Sequence, residues 1–74
     1  MSDRYTLAQD ESTLEWVLTD TYTDIEIRWT ERDFNETQKV TIIKPSDKLA
    51  DASFLARTMR EIGDFLMTNY REIL

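Results

Sequence analysis

The chain has 74 residues, with 15 Asp or Glu against 9 Lys or Arg, one Gly, one Pro, no Cys and no His, for a net charge of -6. A chain this short holds one domain, and its core is marginal by itself. Without Cys or His it can form no disulfide and no thiolate–imidazole zinc site, and it has no imidazole or thiol for catalysis.

Residues 1–12 read as an N-terminal tail, in which Tyr5 to Ala8 can add a short edge strand. The opening Met1-Ser2-Asp3-Arg4 leads into no apolar segment. The expectation is therefore a cytoplasmic chain with no secretory signal. No apolar run approaches the length of a membrane-spanning helix, so no membrane partner is expected.

Residues 13–74 are expected to form a single α+β domain. Residues 13–19 fit two patterns. As a strand, Leu14, Trp16 and Leu18 face the core. As a helix, Leu14, Val17 and Leu18 form the stripe, and Ser12 with Glu15 makes a capping box. The strand is preferred, because β-forming residues continue through Tyr22. Residues 24–30 form the clearest strand, with Ile25, Ile27 and Trp29 alternating with Glu26, Arg28 and Thr30. A polar connection follows, apolar only at Phe34. Residues 38–44 form the third strand. Val40, Ile42 and Ile43 give it apolar groups on both faces, which predicts a central or doubly covered position.

Pro45 ends the β-rich half. Residues 52–73 then show helical spacing, with Asp51 as N-cap. The expected fold is a three-stranded antiparallel meander with this helix packed on the sheet. The apolar arc of the helix spans roughly 220° at 3.6 residues per turn, and Leu55, Met59, Ile62, Leu66 and Ile73 lie near its centre. An ordinary amphipathic stripe is little more than 100° wide. The surplus flank predicts self-association into a homodimer through Ala56, Met59, Gly63, Met67 and Tyr70.

Charge is unevenly placed. Residues 1–37 hold ten acidic and three basic residues, and residues 38–74 hold five acidic and six basic ones. Asp20, Asp24, Glu31, Asp33 and Glu36 fall at predicted turns and loops. Tyr22 and Phe34 stand among them as apolar rings. This set is the candidate partner-binding face. Spaced carboxylates present charge to Lys and Arg much as phosphates do, so a basic nucleic-acid-binding protein is a suitable partner. The plainer reading of the same charge is a solubilising surface.

Direct nucleic-acid binding is not expected. The only basic cluster, Arg57, Arg60 and Arg71, shares its helix face with Glu61, Asp64 and Glu72. Asp20, Asp24 and Glu26 are close in sequence, but their spacing matches no calcium loop. No catalytic constellation and no cofactor motif is present, and the only glycine cannot make a phosphate loop.

In size and composition the chain is similar to small phage-encoded inhibitors of host enzymes, nucleic-acid mimics among them; it is short, acidic and cysteine-free, with β before α. That likeness implies a non-enzymatic protein that inhibits or modulates another protein. The alternative is a structural or assembly protein that packs its helix on its own copy.

Overall fold

A computed structural model describes residues 4–74. Residues 1–3, the start of the expected tail, lie outside the described residues. The fold is α+β, an antiparallel sheet with one long helix on it. The sheet has four strands: β1 (Tyr5–Gln9), β2 (Trp16–Asp20), β3 (Ile25–Trp29) and β4 (Lys39–Ile42), in the order β1-β2-β3-β4. The expected count of three is corrected by β1. The tail contributes a five-residue edge strand in full register with β2, pairing Tyr5 with Asp20 and Leu7 with Leu18. Its inward ring, Tyr5, packs on Phe65 with centroids 4.5 Å apart.

Residues 13–15 do not join the second strand. Leu14 sits in the preceding turn with φ 65 and is 64% exposed, so it leaves the expected core. Trp16 and Leu18 do face the helix. The connection after β3 contains a short helix, α1 (Phe34–Thr37).

β4 departs furthest from expectation. It lies at the sheet edge, and all four of its residues are exposed. The helix does not reach over Val40 and Ile42, although they share a face with buried Ile27 and Ile25.

The long helix, α2 (Ala52–Asn69), starts where Asp51 accepts hydrogen bonds from Ser53 N–H at 2.9 Å and Phe54 N–H at 3.3 Å. Those bonds satisfy two of the donors that a helix start leaves without intrahelical partners. The helix ends earlier than the expected residue 73. Tyr70 leaves helical geometry and a 3-10 turn over Arg71–Ile73 turns the chain back toward the sheet. A straight helix would have carried Ile73 and Leu74 past the core they cover.

Leu18, Ile25, Ile27 and Trp29 from the sheet meet Ile62 and Leu66 from α2, with Leu49 from the 3-10 turn Asp47–Ala50 closing one end. Among the described residues, no helix is long and apolar enough to cross a membrane.

Candidate functional site

The turn and loop carboxylates divide between the two ends of the sheet. Asp20, Tyr22 and Asp24 lie at the β2–β3 turn. Glu31, Asp33, Phe34 and Glu36 lie at the β3–β4 connection. Strand β3 separates the two groups by about 20 Å at 3.3 Å per residue. The seven expected contact residues therefore do not share one face.

At the first end, Asp20 is not an exposed turn residue. Its side chain is fully buried on the helix face of the sheet and accepts from Arg4 Nε at 3.0 Å and Nη2 at 2.9 Å. Tyr22 N–H donates to the same carboxylate at 3.0 Å. Burial pushes the Asp20 carboxyl up, but the Arg4 fork and the Tyr22 amide outweigh it and hold the group below its ordinary value. Asp20 thus anchors β1 to β2. The sequence gives no local sign of this pair, because the partner is 16 positions away.

Tyr22 is exposed, as expected, but its ring is occupied. Arg4 Cζ stands 5.2 Å and Lys48 Nζ 4.9 Å from its centroid. Two cations thus flank the ring, and one of them, Arg4, is already paired with Asp20. Asp24 is half-buried with φ 59, in the turn itself. Glu26 points to the opposite sheet face from Asp20, so Asp20, Asp24 and Glu26 do not converge on a cation.

The outer face of the sheet carries an ion-pair cluster. Arg28 is bonded to Asp10 and lies 3.4 Å from Glu15 and 3.5 Å from Glu26. Ser12 and Arg28 hold the Asp10 carboxyl down to about 2.

The second end is different. Glu31, Asp33 and Glu36 are exposed there. Phe34 is half-buried and meets Trp29 edge-on, with centroids 5.1 Å apart, so it belongs to the packing rather than to a loop tip. Its other side opens on a groove of about 370 Å³ between α1 and α2. Phe34, Leu66, Met67 and Leu74 supply apolar walls, and Asn35, Arg60, Gly63 and Asp64 complete the lining. A Cβ placed on Gly63 would meet no atom within 4 Å, so the groove is open along the helix at that point.

This groove brings together residues that the sequence assigned to separate surfaces. Phe34 came from the acidic set, and Gly63 and Met67 from the self-association set. Of that second set, Met67 and Tyr70 are 50% and 37% exposed, Ala56 is exposed, and Met59 is half-buried against the core. Arg60 and Asp64 read from sequence only as parts of a charge-mixed helix face, and Leu74 carries no sequence signal for the groove. Leu74 reaches the groove only because Arg32 N–H and Trp29 Nε1 bind the carbonyl of Ile73, and Phe34 N–H binds that of Leu74.

Comparison with known protein families, curated proteins and solved structures finds no match.

Proposed function

We propose that this chain is a binding protein rather than an enzyme, and that it holds a segment of another protein in the groove between α1 and α2. The groove carries this reading. It joins apolar walls at Phe34, Leu66, Met67 and Leu74 to Asp64 and Arg60 in its lining, and the α1 connection beside it exposes Asp33 and Glu36. Its volume is near the lower end of the ~300–1,000 Å³ typical of ligand pockets. An apolar side chain seated there leaves water, while Lys or Arg beside it meets Asp64 and the α1 carboxylates.

The partner is then a basic protein with an apolar anchor. A nucleic-acid-binding protein has that chemistry, with the carboxylates standing where phosphates would bind. The chain would inhibit or modulate such a partner by occupying its basic surface. The lack of His and Cys supports a role without catalysis.

Purification of the partner with tagged wild type, Gly63→Leu and the double variant Asp33→Lys, Glu36→Lys tests this reading. Wild type should retain a basic protein, and Gly63→Leu should lose it by filling the groove. The double reversal should weaken retention and flatten its salt dependence. A partner held equally by Gly63→Leu would remove the groove from the account.

A further inference from the structure

Half of the β4 backbone faces an open edge. Ile43 N–H donates to the Asp24 carbonyl at 2.8 Å, and the register pairs Thr41 with Glu26 and Lys39 with Arg28. Bonded and non-bonded pairs alternate along an antiparallel ladder, so Lys39, Thr41 and Ile43 direct their backbone groups at β3. Val40 and Ile42 direct theirs at the free edge. Their side chains lie on the helix face of the sheet, opposite Ile27 and Ile25, yet are 47% and 41% exposed. The same two residues thus offer both unpaired backbone groups and uncovered β-branched side chains.

We propose that a second copy of this chain pairs with this edge, β4 against β4, antiparallel about a two-fold axis at Thr41. Val40 of each copy then stands opposite Ile42 of the other. Each such pair exchanges two backbone hydrogen bonds and sets two β-branched side chains together on the helix face. Lys39 meets Ile43 and Lys44 meets Gln38, so no like charges stand opposite.

The charge on either side of β4 favours a second copy as the occupant. Before the strand, Glu36 lies two residues from Gln38; after it, Lys44 lies two residues from Ile42, while Lys48 is offset by Asp47 and Asp51. Antiparallel pairing sets Lys44 of each copy opposite Gln38 of the other, within two residues of its Glu36, twice over. The contact is isologous and closes at two copies, joining two four-stranded sheets into one. It uses none of the groove residues and does not depend on the groove reading.

The chain contains no cysteine, which makes the register directly testable. At the axis the two Thr41 residues form a non-bonded pair with Cα atoms about 4.5 Å apart, within the ~4.4–6.8 Å reach of a disulfide. Under mild oxidation Thr41→Cys should form a covalent dimer at least about tenfold faster than Thr68→Cys, which sits on exposed helix surface. In sedimentation equilibrium the unmodified chain should approach twice its 8.8 kDa mass as concentration rises through the micromolar range. Val40→Pro removes an amide that serves only the free edge, and it should remain at 8.8 kDa. Ile42→Lys replaces it if the proline variant does not fold, with the same expected result. A chain that stays monomeric into the millimolar range overturns the proposal. So does a dimer in which Thr41→Cys cross-links no faster than Thr68→Cys, because that dimer would use another surface, such as the flank of α2.

Discussion

The indole N–H of Trp29 donates to the backbone carbonyl of Ile73 at 2.9 Å, across 44 positions of sequence. Trp29 is fully buried, and this bond ties the chain after α2 to the end of β3. The same tie holds Leu74 in place as a groove wall. Trp29→Phe keeps an aromatic ring and removes the donor. It should cost about 0.5–1.5 kcal/mol, the net worth of one hydrogen bond, because the Ile73 carbonyl keeps the Arg32 N–H. Hydrogen exchange at the Arg32 and Phe34 amides, which bond Ile73 and Leu74, should speed up with it. Unchanged exchange at both amides would mean that the turn over Arg71–Ile73 is held by other contacts.

Ile62 and Leu66 are fully buried on α2 and face the sheet. Ile62→Ala and Leu66→Ala should each lower stability by about 2–5 kcal/mol in urea unfolding, a large fraction of what so small a domain has. Leu66→Ala should also alter the groove, which it lines, whereas Ile62→Ala should not. A loss below about 0.5 kcal/mol at either position would place the helix wrongly on the sheet.

The helix illustrates how far sequence alone reaches. Asp51 as cap and Ile62 with Leu66 as core are legible because cap chemistry and 3.6-residue periodicity act within a few residues. Asp20 reads wrongly as an exposed turn carboxylate, because its environment is set by Arg4, paired across two strands. Val40 and Ile42 read as covered because periodicity reports side-chain chemistry and not whether a neighbour arrives. Phe34, Gly63 and Met67 were each noticed, but only the fold that joins α1 to α2 makes them one groove.

Asp20 should contribute to the response to acid. Its folded pKa lies below the ordinary value of 3.8, so its contribution is complete above about pH 4 and is lost as pH falls through the folded value. Asp10, held down to about 2, acts in the same direction. Asp20→Asn should cost about 2–4 kcal/mol at pH 7, somewhat less than the loss of a partner from a fully buried pair because Arg4 is partly exposed. The cost should shrink as pH falls through the folded pKa, where Asp20 itself becomes neutral. A cost independent of pH would show that the ion pair does not stabilise the fold.

Gly63 separates stability from binding. Open space at its Cβ position and a helix interior location mean that Gly63→Ala should raise stability by up to about 1 kcal/mol. Gly63→Leu should remain folded and fill the groove. A thermal melt of the two variants checks the first part; a large loss of stability in Gly63→Ala would mean that the groove is closed in solution.

The most direct test of the groove is an amide chemical-shift titration with a short peptide carrying one Leu between paired arginines. The account predicts shifts centred on Asn35, Gly63, Asp64, Met67 and Leu74, the residues around the opening. Those shifts should weaken as salt rises and vanish in Gly63→Leu. Shifts spread over the outer sheet face instead, or unchanged in Gly63→Leu, would contradict it.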